Sequence, residues 1–501
     1  MKRIALLVPG LLFCLGASAI AGPAPDREEH KRSFHREVPL PAGRKLSIEH
    51  SNGVIRVRTH REPRAVIDAA IRVSSSDEAG AERFANEIAI EVSESTHGVS
   101  IKTRYPEKRW TFEGRGYVSY SVDYDILLPE SAPLDVRNRF GNVEVTGLKA
   151  SSGIKNTNGS ITVRAGAGTQ RLENSFGSIE LTGNEGDATV VNSNGSITVA
   201  GLQGTLDASN RFGKVTATRI TGSTTIVNSN GSVSLTASSG GADLTNSFGS
   251  VSVVGLGGPL KVKNSNGSVD ATRISGDADL NTSFGAIVFS DVKGRVTCSG
   301  SNSRVTGSKV TESVTVTNTF GAVEIKDAAG AEIENANGRV VAKDIRGGAV
   351  LTTSFAALDA YGIGGNLTAV NSNGAVRAFS VKGSVNARTS FGPVKVEGAG
   401  GRIDISNQNG SAEVSGLSAK GCQPVVVKTS FAPIRIFVPE GASYNVSART
   451  SFGRISSELP LNVQGAISSE SLAGKLGAGG CEMTLTDSNG SIEINRDNAA
   501  K

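Results

Sequence analysis

The chain has 501 residues but only one Trp, two Met, four Cys and five His, and each scarcity narrows what it can do. All five histidines (His30, His35, His50, His60 and His97) precede residue 98, so everything beyond lacks the commonest general base and metal ligand. Acidic residues such as Asp207, Asp243, Asp270 and Asp279 stand singly in their strands, and although Asp207, Asp243 and Asp279 recur every 36 residues, that is one carboxylate in every second coil and not a cluster. That pattern gives neither the paired carboxylates of a glycosidase nor an acidic set able to hold a cation. No catalytic, cofactor-binding or metal-binding residue is assigned, and a protein that is not an enzyme is expected. The formal charge is only +5, without a Lys/Arg run or an aromatic-interleaved basic stripe, which argues against nucleic acid as a partner. Beyond the N-terminus no apolar run is long enough to span a membrane.

What is abundant is turn and strand chemistry. With 61 glycines and many Ser, Thr, Asn and Val, the composition suits pleated strands and tight bends, not helices. From Phe140-Gly141 to Asn409-Gly410 a strand-and-turn unit recurs about every 18 residues, and the residue before the turn position alternates between Phe and Asn. Two short β segments and two turns per period are the signature of a stacked β-solenoid. The expected fold is therefore all-β, a parallel β-helix-like solenoid over 136–420 with small β-rich caps at both ends.

Within one unit every second residue recurs, as in Leu206, Ala208, Asn210 and Phe212, and residues two apart share a face of a strand. These four positions are predicted to point inward, with Arg211 or Ser229 between them facing water. The glycine marks a corner because it reaches positive φ without a Cβ clash; Ala356, Ala432 and Ser303 stand in its place at three corners. A second corner, such as Arg219-Ile220-Thr221-Gly222, offers one apolar residue to close the core.

Three places before the glycine stand Asn138, Asn156, Asn174, Asn192, Asn210, Asn228, Asn246 and Asn264, with Thr282, Thr353 and Thr389 further on. Stacked coils would align these amides in one column, and a buried amide without partners costs about 1–3 kcal/mol. A structural ladder, with amides bonded to one another along the axis, is the expectation. A 36-residue coil would place Phe on Phe and Asn on Asn in separate columns. The inner Asn does not alternate and a wider core would be hard to fill, so 18 is favoured.

Residues 1–21 read as an export signal: Lys2 and Arg3, an apolar stretch from Ile4 to Leu15, then Ala17-Ser18-Ala19 and Ala19-Ile20-Ala21 as small-x-small sites. The expected address is periplasmic, cell-surface or secreted. Residues 22–44, with four prolines among charges, suggest a flexible lead-in. Residues 45–135 form a β-rich module with one helix over 77–89, capped by Ser75 or Ser76. Its aromatics Trp110, Tyr117, Tyr120 and Tyr124 are candidates for a ligand platform, since aromatic faces pack on sugar rings, although such a cluster more often serves core or cap packing. Residues 421–496 are irregular coils and a cap. There Cys422 and Cys481 are a candidate disulfide in an oxidising compartment, while Cys298 sits in the inward frame.

Ser47-Ile48-Glu49-His50-Ser51-Asn52-Gly53, Tyr124-Asp125-Ile126-Leu127-Leu128-Pro129, the repeated Asn-Gly corners and Leu485-Thr486-Asp487-Ser488-Asn489-Gly490-Ser491-Ile492-Glu493-Ile494 resemble the bacterial β-strand-repeat proteins called putative adhesins. The resemblance covers nearly all of the chain after the leader. It implies a non-enzymatic adhesin or envelope structural protein, with a surface glycan or envelope component as partner, and it offers no catalytic residues. The alternatives are a carbohydrate-active β-helix enzyme, by analogy of fold, and a periplasmic sensing or scaffold partner.

Overall fold

The computed structural model describes residues 28–75, 77–106, 118–463 and 468–497; the export signal, Trp110 and Tyr117 lie outside them. The chain is a β-solenoid with coils of about 18 residues, as the period predicts. Each coil contributes two parallel strands to two faces, so Ile197–Gln203 stacks on Ile179–Glu185 and Leu206–Phe212 on Ala188–Asn194. The core between the faces holds Leu206, Ala208, Val215 and Ala217 and their counterparts in other coils.

The two corners have different causes. At the first, Gly213 takes φ 123°, and a Cβ there would run into the carbonyl oxygen of Gly195 in the coil below. Ser303, Ala356 and Ala432 do not adopt left-handed backbone, and neither do the corner glycines Gly338, Gly374, Gly392 and Gly410, so these corners bend differently with or without glycine. At the second corner one residue per coil is left-handed, whether glycine (Gly201, φ 68°) or not (Arg219, φ 54°), and the residue after it, Leu202 or Ile220, is buried.

The ends depart from simple stacking in the same way. At the N-terminus β1 (Glu28–Pro39), β2 (Lys45–Glu49), β3 (Ile55–His60) and β4 (Arg64–Ser75) are followed by α1 (Glu78–Glu87), β5 (Ala89–Ser95), β6 (Gly98–Arg104), β7 (Ser119–Pro129), β8 (Leu134–Arg137) and β9 (Val143–Thr146). The first coil in sequence, β2 with β3, is not the first in space. It lies between β6/β7 on one side and β8/β9 on the other. Antiparallel β5 pairs with β6 and antiparallel β4 with β7, covering edges that would otherwise be open.

The C-terminus repeats the device. Strands Cys481–Thr486 and Ile492–Arg496, the last in sequence, sit between the coil of Val425–Lys428 and Ile434–Val438 and the coil of Tyr444–Arg449 and Ile455–Ser457. Antiparallel Ser471–Leu476 then covers Tyr444–Arg449.

Two local expectations need correction. The segment assigned to a flexible lead-in contains β1, antiparallel to β4 over all twelve of its residues. Its sequence reads as solvated because β1 is an edge strand, paired only with β4 and with most of its side chains exposed, while the half-buried Arg32 donates to the carbonyls of Asn86 and Ile88 at the end of α1. The helix is capped by Asp77, whose carboxylate accepts from the Gly80 amide, because Ser75 is still part of β4.

Candidate functional site

The inner Asn column is a ladder in register, with Asn156 beside Asn174 and Asn192 beside Asn210. Its bonds differ from the expectation. Asn210 Nδ2 donates to the carbonyls of Gly195 and Gly213, each at 3.1 Å, tying its own corner to the one below. Asn264 does the same with Gly249 and Gly267. Amide-to-amide bonds occur at Asn228–Asn246 and Asn318–Asn335, while Oδ1 of Asn156, Asn174 and Asn210 accepts nothing among the described residues. The turn carbonyls win because the corner brings two of them within reach of each amide.

That inner bond also turns the next side chains outward. Phe212 was predicted to be inward by alternation, but the strand bends after Asn210 and Phe212 is 43% exposed. The same holds for Phe140, Phe176, Phe248, Phe284, Phe320, Phe355, Phe391, Phe431 and Phe452, ten exposed phenylalanines on one edge of the solenoid. Asn occupies the equivalent corner in the intervening coils, as the registers Asn158↔Phe176, Phe176↔Asn194 and Asn194↔Phe212 show. With coils about 4.8 Å apart, successive Phe rings stand roughly 10 Å apart along the axis.

The alternation continues where the chain order does not. In sequence the closing corners run Phe431, Phe452, Asn489. In space the Asn489 amide donates to the Ser430 carbonyl and the Phe452 amide to the Ser488 carbonyl, so the order is Phe431, Asn489, Phe452. At the other end Asn52 bridges to Phe140, and Phe140 to Asn158. The edge therefore alternates Asn and Phe without a break from Asn52 to Phe452. The ten asparagines are Asn52, Asn158, Asn194, Asn230, Asn266, Asn302, Asn337, Asn373, Asn409 and Asn489.

Between the rings the surface is neutral or basic. Most of the outer Asn amides are turned back onto the solenoid, as Asn194 Nδ2 to the Ser175 carbonyl at 3.4 Å and Asn373 Nδ2 to that of Ser354 at 3.2 Å. Serine or another small residue precedes most ribbon positions; Arg139 and Arg211 do so at two, each over the neighbouring Phe ring at 5.7 and 5.3 Å. No Asp or Glu stands immediately before a ribbon residue or two places after it.

The proposed aromatic platform is not an exposed surface at its described members. Tyr124 is fully buried, its hydroxyl 2.7 Å from the Thr103 hydroxyl and its pKa pushed up to about 12, chiefly by burial. Tyr120 packs on Phe84 and Tyr105, with centroids 5.0 and 5.2 Å away. Both face inward because β7 keeps a strict period of two against the core. Beside them His50, which fills the inner ladder place of the first coil, is buried with Nδ1 3.0 Å from the Thr103 hydroxyl, and burial lowers its pKa to about 4.

Cys422 and Cys481 form a disulfide with Cα atoms 5.1 Å apart, and Cys298 is buried with its thiol pKa pushed up by desolvation. Among the described residues no three His, Cys, Asp or Glu side chains gather as a metal site would require, and no helix is long and apolar enough to cross a membrane.

No protein-family model matches the chain, and no curated protein matches it. Two solved structures are similar in part. A putative cell adhesion protein from Clostridium sporogenes is 7% identical, with 93% of this chain and 100% of that chain covered, at a TM-score of 0.14. A putative lipid binding protein from Parabacteroides distasonis is 11% identical, with 58% of this chain and 96% of that chain covered, at a TM-score of 0.21. At such TM-scores neither likeness bears on what this chain does.

Proposed function

We propose that this is an exported, non-enzymatic adhesion or cell-envelope structural protein whose working surface is the Phe/Asn ribbon. The observation that carries the reading is the order Phe431, Asn489, Phe452 in space. Copying of a two-coil unit would leave an alternation in sequence order; an alternation that follows spatial order instead serves the surface it forms. The fold does not require it, because Phe and Asn occupy equivalent corners in register-matched coils.

Many equivalent weak contacts along one edge suit a repetitive partner, whose attachment strengthens with the number of sites engaged. Export is supported by the leader-like residues 1–21 and by the Cys422–Cys481 disulfide, which an oxidising compartment maintains. The experiment is a graded series on producing cells, with Phe→Asn at two, five and all ten ribbon positions. Attachment should fall stepwise while the amount of folded protein stays constant; attachment that ignores the series would reject the reading. Protease shaving of intact cells, with a periplasmic control, separates a surface from a periplasmic address.

A further inference from the structure

We infer that the partner of the ribbon is a second copy of this chain, lying antiparallel along the same edge. The inference rests on the ribbon being the working surface and adds what occupies it. Each Phe ring except the terminal Phe452 has an Asn on either side along the axis, so consecutive rings are about two coils, or roughly 10 Å, apart. The slot between them is wide enough for one further ring. Its floor is an Asn, in most coils with Nδ2 donating to a backbone carbonyl of the adjacent coil, as Asn194 does to Ser175 and Asn373 to Ser354. Such a slot accommodates an aromatic face well.

The ribbon is also self-complementary. It holds ten Phe and ten Asn, beginning with Asn52 and ending with Phe452. A two-fold axis between Phe284 and Asn302 places Asn52 opposite Phe452, Phe284 opposite Asn302, and every Phe opposite an Asn with no overhang. A parallel pair in register would oppose Phe to Phe instead. The antiparallel register also keeps charges apart. The basic residues beside the ribbon are Arg139, Arg211, Lys214, Arg304, Arg339 and Arg454, and none of their positions faces another of them across that axis.

The area is sufficient. Ten phenylalanines exposed by 43–81% offer on the order of 1,000 Å² per copy, against about 800 Å² per partner in a stable interface. Interdigitated rings would stand about 5 Å apart along the axis, within the range of stacked aromatic pairs. Pairing of this kind, between chains on opposed surfaces, would be homophilic attachment.

The test begins with sedimentation of the purified chain across a concentration series. A dimer is expected, its dissociation constant rising roughly tenfold for each Phe→Asn change, with circular dichroism unchanged because Asn already fits this corner. Orientation is read by mixing Ser51→Cys chains with Ser451→Cys chains and adding a bifunctional maleimide. Cross-links between the two variants are expected. Cross-links only within each variant would mean parallel pairing and overturn the inference, as would a monomer at every concentration. If the chain is monomeric yet the Phe→Asn series still lowers cell attachment, the ribbon binds another partner, such as an envelope glycan, and only the self-pairing falls. If attachment is also unaffected, both readings fall.

Discussion

Phe452 lies beside Asn489, not beside Phe431 that precedes it in the corner series, because the last two strands of the chain are threaded between the coils carrying those two rings. The consequence is an unbroken Asn/Phe edge on a core that is indifferent to it. Core and edge should therefore respond differently to substitution.

Replacing Asn210 with Ala removes two bonds that hold adjacent corners, to the carbonyls of Gly195 and Gly213. The loss should be about 1–3 kcal/mol, visible as a lower denaturation midpoint. Asn210→Thr should be milder, since Thr282 already serves this place by donating to the Gly267 carbonyl at 3.1 Å. Equal effects of Ala and Thr would mean that the amide's size, and not its bonding, matters.

At the edge, Phe212→Asn should change stability by no more than about 0.5 kcal/mol, because the side chain is half exposed and Asn occupies the matching corner in both neighbouring coils. Thermal melts of single and multiple Phe→Asn variants check this. A cumulative drop in melting temperature would show that the rings belong to the fold.

His50 makes the N-terminal coils sensitive to acid. Burial lowers its pKa from 6.5 to about 4, so the folded state holds it neutral where the unfolded chain takes up a proton. Its contribution is complete above about pH 6.5 and is lost progressively as the pH falls towards 4, a change of about 3 kcal/mol. His50→Asn, which supplies the residue used in the other ladder places, should flatten that part of the stability profile. A variant with an unchanged pH profile would locate the acid sensitivity elsewhere.

The Cys422–Cys481 disulfide closes a loop with a sequence separation of 59, enclosing the coil displaced outward by the final strands. By loop entropy it should contribute about 4 kcal/mol to holding that cap. Reduction, or Cys422→Ser with Cys481→Ser, should raise hydrogen exchange in Tyr444–Arg449 and Cys481–Thr486 before the central coils respond. Uniform exchange along the solenoid would show that the cap does not open separately.

The central coils were legible because Leu206, Ala208 and Asn210 keep a period of two and the unit recurs at constant length. Phe212 departs from the pattern because the period of two ends at Asn210. Alternation holds only while a strand is straight, and Asn210 bonds the carbonyl of its own corner glycine just where the chain bends. One signal was already in the sequence: a column that alternates between a large ring and a small amide does not suit a core of constant width. The threaded ends were hidden for another reason, since the pairing of Ile434–Val438 with Ile492–Arg496 is set by long-range register, which local pattern does not encode. Tyr120 and Tyr124 left two readings open because a core tyrosine and a platform tyrosine have the same spacing, and only the packing of β7 separates them.

Along this edge the order of the rings matters as well as their number. Exchanging Phe212 with Asn230, as Phe212→Asn combined with Asn230→Phe, keeps ten rings and the composition but sets two Phe side by side and leaves a gap beyond them. Attachment of producing cells, measured against unaltered cells at equal surface protein, should fall. Attachment equal to that of the unaltered protein would contradict the claim.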